Sequence, residues 1–152
     1  MKIKHLFILL LACCVGSACE KQSQQCLALP MALQILSANV RIVDKTTGAD
    51  LFLSPASPYK FSDLTVTSSV TGSNVRLMVD SSQKDKRLVR IMGTETQTFY
   101  LKLAALPADT IRMNVLDMPG RCYTTQSVSS ITLNGERVCA PCSFNDVVMI
   151  SK

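Results

Sequence analysis

The sequence predicts an all-β chain, a single antiparallel β-sandwich of roughly seven to nine strands. Three observations carry that expectation. Apolar and polar residues alternate with period two in segment after segment. Turn-forming clusters separate those segments at short intervals. Beyond the leader, no comparable stretch spaces its apolar residues as a helix would.

The strands follow in order. In "NVRIVD", Val40 and Ile42 share a face, with Arg41 opposite. "DKTTG" (Asp44 to Gly48) turns the chain into "DLFL", expected as the partner strand. "LTVTSSV" sets Leu64, Val66 and Val70 against Thr65, Thr67 and Ser69. After the turn "TGSN" (Thr71 to Asn74), "NVRLMVD" sets Val75, Leu77 and Val79 against Asn74, Arg76 and Asp80. "TFYLKL" places Phe99, Leu101 and Leu103 inside, and "TIRMNV" does the same with Ile111, Met113 and Val115. Strands with one dry and one wet face belong to antiparallel sheets. "NG" at Asn134-Gly135 lies between "SITL" and "ERVC", a strong hairpin signal because both residues tolerate positive φ. A two-residue turn there sets Leu133 opposite Glu136 and Ile131 opposite Val138. "VVMI" near the C-terminus reads as a last strand. "LALPMALQIL" (Leu27 to Leu36) fits a short helix or an edge strand, since Pro30 interrupts it.

The front of the chain reads as an export signal. Lys2 and Lys4 precede an uncharged apolar run from Leu6 to Val15, and the small residues Gly16, Ser17 and Ala18 lead to Cys19. A membrane-spanning helix needs roughly 20 apolar residues, more than this run supplies. Cleavage before Cys19 suits a lipoprotein signal peptidase, which leaves the thiol to carry lipid. Cys13 and Cys14 fit worse: the first leaves too short an apolar core, the second a cysteine just before the cut. The organisation expected is therefore a signal peptide over residues 1–18, a lipidated Cys19 and polar tether over 19–26, and a β domain over 27–152. One acyl chain holds a protein only marginally, whereas the two or three of a lipoprotein cysteine hold it stably.

Cysteine parity agrees. Of seven cysteines, Cys13 and Cys14 leave with the leader, so five remain, an odd number for an exported chain. Acylating Cys19 leaves Cys26, Cys122, Cys139 and Cys142 to pair in one of three ways. Pairing Cys122 with Cys139 or Cys142, and Cys26 with the other, would tie the start of the domain to its last hairpin.

Composition narrows function. The only histidine, His5, lies in the leader, so the mature chain has no imidazole for a Ser-His-Asp or Cys-His nucleophile or for a histidine-ligated zinc. Without Lys2 and Lys4, 14 basic side chains face 11 acidic ones, a balance of +3 that implies no nucleic-acid partner. The densest basic patch, Lys84, Lys86, Arg87 and Arg90, reads as a solvated turn, with contact to anionic headgroups as the alternative. There is no tryptophan, and a ligand- or sugar-binding face would have to use Tyr59, Tyr100 or Tyr123.

Three local patterns invite chemistry. "CAPC" (Cys139 to Cys142) has the spacing of a redox dithiol, but it follows a hairpin and leaves no room for the helix that would acidify its first thiol. With Cys26 and Cys122 it could form a four-thiolate zinc site, although the export route favours structural disulfides. "DKTTGAD" offers oxygens at Asp44, Thr46 and Asp50 but lacks the acid density of a calcium loop, so a hairpin turn explains it better. A carboxylate pair of the glycosidase type is assembled by the fold, and no local pattern marks one. No cofactor is expected.

"VRIVDKTTGADLFL" (Val40 to Leu53), "SPYKFSDLTV" (Ser57 to Val66), the late cysteine-bearing hairpin and the "SACEK" junction (Ser17 to Lys21) together resemble small Bacteroidota-type outer-membrane lipoproteins of unassigned function. The resemblance implies a lipid-anchored β domain at the outer membrane. In that group, acidic residues just after the lipidated cysteine accompany surface display. Here Glu20 stands alone before Lys21, so a periplasmic and an external orientation are both open. The function expected is a non-enzymatic module that binds another envelope or extracellular protein, or serves as an accessory subunit.

Overall fold

Alternation of buried and less buried side chains along β2, β4 and β5 organises the core of the computed structural model, which describes residues 36–80 and 88–152. The leader, Cys19, Cys26, the tether, most of "LALPMALQIL" and the turn with Lys84, Lys86 and Arg87 lie outside the described residues. Nine strands are described: β1 (Leu36–Val43), β2 (Leu64–Ser68), β3 (Leu77–Asp80), β4 (Leu88–Gly93), β5 (Gln97–Leu103), β6 (Asp109–Pro119), β7 (Thr124–Leu133), β8 (Glu136–Cys139) and β9 (Val147–Ser151). They form a four-stranded sheet in the order β3-β4-β1-β9 and a five-stranded sheet in the order β2-β5-β6-β7-β8. The expected β-sandwich is therefore what the chain forms. The only helical element among the described residues is one 3-10 turn, Phe61–Asp63.

The core lies between the sheets. Val40, Ile42, Val89, Ile91, Val148 and Ile150 project from the smaller sheet. Val66, Phe99, Leu101, Leu103, Ile111, Met113 and Ile131 project from the larger. Each such side chain, withdrawn from water, contributes about 1.5–3 kcal/mol before entropy is counted. Phe52 joins them from a loop.

Several strands depart from the alternation read in the sequence. Val70 was expected on the dry face but is 54% exposed, because β2 ends at Ser68. Ser68 takes the inward slot instead, and its hydroxyl donates to Gln97 Oε1 at 2.6 Å and accepts the Val70 N–H at 3.1 Å. "NVRLMVD" is not one strand. Asn74 bridges to Thr67 beside β2, and the Val75 N–H donates to the Val66 carbonyl. The chain then crosses to the other sheet, where β3 lines its edge with Met78 and Val79 exposed. "DLFL" is not a strand either: Asp50 makes one bridge to Val43, and its Oδ1 then accepts the Phe52 and Leu53 N–H groups and bends the chain inward.

The NG turn forms as expected, with φ of 51° at Asn134 and 89° at Gly135, and Leu133 faces Glu136. Ile131, however, faces Cys139 and not Val138, because a bulge between Ile131 and Thr132 inserts one residue in β8. β9 runs parallel to β1, with Val40 beside Val148. A parallel partner needs a crossing connection. Residues 140–146 supply it, carrying the chain from β8 in one sheet to β9 in the other.

Candidate functional site

Three surface features gather at one end of the sandwich. The register defines that end: Leu36 at the start of β1 pairs with Gly93, and Gln97 at the start of β5 pairs with Met113. Gly93 packs so closely that an added Cβ would stand 2.5 Å from Gln97 Nε2 and 2.6 Å from Met113 Cε. The opposite end holds the Asp44–Gly48 turn, the Asn134-Gly135 turn and the Lys152–Asp109 ion pair.

The first feature is an arm. β5 accompanies β6 only from Asp109 to Met113, and from Asn114 to Pro119 the partner strand is β7 alone. At about 3.4 Å per residue the ribbon runs on for roughly 17 Å. At its base the Val115 N–H donates to Thr96 Oγ1 at 2.8 Å. The ladder shifts register after Asn114, and the Ser129 hydroxyl donates to the Asn114 carbonyl there at 3.1 Å. Gln126 Nε2 donates to Asp117 Oδ1 across the ribbon at 2.9 Å. Leu116 and Met118 share one face, 56% and 45% exposed, opposite Ser127 and Thr125. Cys122, in the turn of the arm, is disulfide-bonded.

The second feature is the crossing loop with "CAPC". Cys139 and Cys142 are bonded to each other, which corrects the pairing of either with Cys122. β8 ends on Cys139 and the chain turns back through Pro141, which brings the two cysteines to a Cα–Cα distance of 5.1 Å. With Cys122 also in a disulfide, four free thiolates for zinc are not assembled. Both sulfur-bearing residues are half-buried, and turn and strand follow them where a redox dithiol would have a helix. Asp146 lies close to both sulfurs, and its Oδ2 accepts the Ser143 N–H at 2.6 Å. Buried Asn39 donates through Nδ2 to the Phe144 carbonyl at 2.7 Å, fixing the loop to β1. Arg90, from the expected basic patch, sits over the Phe144 ring at 4.7 Å and pairs with Asp80 at 2.5 Å, so it is not a loose headgroup ligand.

The third feature is an open groove of about 420 Å³ between the β2–β3 and β4–β5 connections, lined among others by Val70, Asn74, Met92, Glu95 and Gln97. None of the tyrosines lines it. Tyr59 packs at the margin of the core, Tyr100 stands on the outer face of β5 at 46% exposure, and Tyr123 is in the arm. The structure thus does not bring the three rings to one binding groove.

"DKTTGAD" behaves as a turn. Asp44 Oδ1 accepts the Thr46 N–H at 2.9 Å, the Thr47 N–H at 2.7 Å and the Thr47 hydroxyl at 2.9 Å. Asp50 Oδ2 pairs with Arg41 Nε at 3.2 Å while its other oxygen holds the bend. Both carboxylates are thus engaged by the chain itself. The Thr47 backbone bond, then its hydroxyl and the Thr46 N–H, hold the Asp44 carboxyl below its ordinary value. A carboxyl lowered by folding contributes stability that is present above its unfolded pKa, about 3.9, and lost as pH falls through the folded value. We therefore expect the Asp44 carboxyl resonance to titrate below the usual aspartate range, and to move back up in Thr47→Ala. An ordinary midpoint in both proteins would contradict the geometry.

No protein-family model, curated protein or solved structure matches this chain. What sequence reasoning missed is the arm. Its signal was present in "VLDMPGRCYTTQSV", where polar and apolar residues continue past "TIRMNV" without a new dry face.

Proposed function

We propose that this chain is a lipid-anchored, non-enzymatic module of the cell envelope, held at the outer membrane by acyl chains on Cys19. It binds another envelope or extracellular protein through the outer face of its five-stranded sheet. The observation that supports this reading is the make-up of that face. Tyr100 stands half-exposed on the interior strand β5, with Thr67 on β2 and Thr110 on β6 as cross-strand neighbours. Lys102 and Arg112 flank it, and Arg112 Nε is oriented by Asn114 Oδ1 at 3.1 Å. Aromatic and arginine side chains on a stiff surface are what the centres of protein interfaces favour, because they bury much area at little entropic cost.

The test uses a photo-crosslinking residue in place of Lys102 in cells that make the full chain. A discrete adduct is expected, lost at least tenfold in Tyr100→Ala while the protein stays in the membrane fraction. An adduct pattern indifferent to Tyr100→Ala would overturn the interface.

A second reading is favoured by the Cys139–Cys142 bond itself. An envelope thiol–disulfide protein would accept two electrons and two protons from a dithiol, opening this bond while the donor closes to a disulfide. That reading requires an open fraction of the pair when the protein is trapped with a thiol-blocking reagent in intact cells. A pair found wholly oxidised and unreactive toward reduced dithiols leaves the structural role.

A further inference from the structure

We infer that the β6–β7 arm, and the end of the sandwich from which it projects, face the lipid surface, with the exposed Leu116 and Met118 reaching the headgroup layer. The inference rests on lipid attachment at Cys19 and adds to it an orientation. The described chain begins at the arm's end of the fold, since Leu36 pairs with Gly93 and Gly93 packs against Gln97 and Met113 at the arm's base.

The same end collects exposed apolar side chains: Val70, Leu116, Met118 and Tyr123. The far end presents Lys45, Thr46, Thr47, Asn134 and Gly135, with Phe61 as its large exposed apolar residue, stacked on Phe52. Apolar tips carried on a polar scaffold suit an interface that is greasy beneath and wet above.

The outer face carrying Tyr100 stands beside the membrane on this orientation, open to a protein partner.

The absence of tryptophan makes the test clean. Met118→Trp and, at the far end, Lys45→Trp are each prepared as the acylated full chain. Both are reconstituted into phosphatidylethanolamine–phosphatidylglycerol vesicles with brominated acyl chains. We expect both to float with the vesicles, Met118→Trp to be quenched at least twofold with a blue-shifted emission, and Lys45→Trp to be unaffected. Equal quenching of the two while both float overturns the orientation and leaves the anchor standing. Failure to float condemns the anchor, and the orientation with it.

Discussion

Phe99→Ala is expected to lower the free energy of unfolding by about 3–5 kcal/mol. Phe99 is fully buried at the middle of β5, between Ser68 on β2 and Ile111 on β6 in the ladder. Its ring lies over Gly93 of the facing sheet, where an added Cβ would come within 3.2 Å of Cζ. Removing the ring opens a cavity whose walls are strands already held by their ladders, so they cannot collapse into it. Domains of this size are stable by about 5–15 kcal/mol, and the loss would consume a large share. The neighbouring Tyr100→Ala removes a half-exposed ring and should cost about 1 kcal/mol or less. Urea denaturation of both variants checks the contrast. Equal midpoints would show that the alternation along β5 does not define the core.

Lys152→Met should cost about 3 kcal/mol, an unusual amount for the loss of one lysine charge. The ammonium meets Asp109 Oδ2 at 2.5 Å and donates to the Pro107 carbonyl, also at 2.5 Å, with the two side chains only 9% and 10% exposed. Asn134 Nδ2 donates to the other Asp109 oxygen at 2.9 Å. Taking away the lysine leaves a buried carboxylate with one weak partner, which is costlier than the pair itself is stabilising. Adding Asp109→Asn should therefore recover much of the loss, the signature of a desolvated charge and not of lost packing. The backbone of Lys152 also binds β1, donating to the Val43 carbonyl and accepting from the Lys45 N–H. Substitution leaves those bonds in place. A loss below about 0.5 kcal/mol would mean that water reaches the pair.

What the sequence shows clearly is what period-two alternation can encode. "TFYLKL" and "TIRMNV" are central strands with uninterrupted dry faces, and both fold as read. The strands that misled are at edges or crossings. "NVRLMVD" keeps perfect alternation while passing from one sheet to the other, because alternation marks a face and not the sheet it belongs to. β4 is hard to read because the charged Arg90 stands between its two dry-face residues, Val89 and Ile91, although both are among the most buried residues. Arg90 is accommodated by Asp80 and Phe144, partners that only the tertiary fold supplies.

The same limit applies to the candidate surfaces. "CAPC" announces a disulfide-capable pair, but its choice of partner depends on where β8 ends and the chain turns back, which the pattern of residues does not mark. Tyr100 is visible as a wet-face aromatic, whereas its place on an interior strand, between β2 and β6, follows from strand order. The arm needs both the length of β7 and the early end of β5, and the second is set by the pairing between strands.

Lipid attachment at Cys19 is the claim on which the proposed function and the orientation both depend, and mass spectrometry of the protein extracted from its own membranes tests it most directly. The account predicts a chain that begins at Cys19, carrying a thioether-linked diacylglyceryl group and an amide-linked acyl chain. An unmodified amino terminus, or a chain that retains residues 1–18, would contradict it.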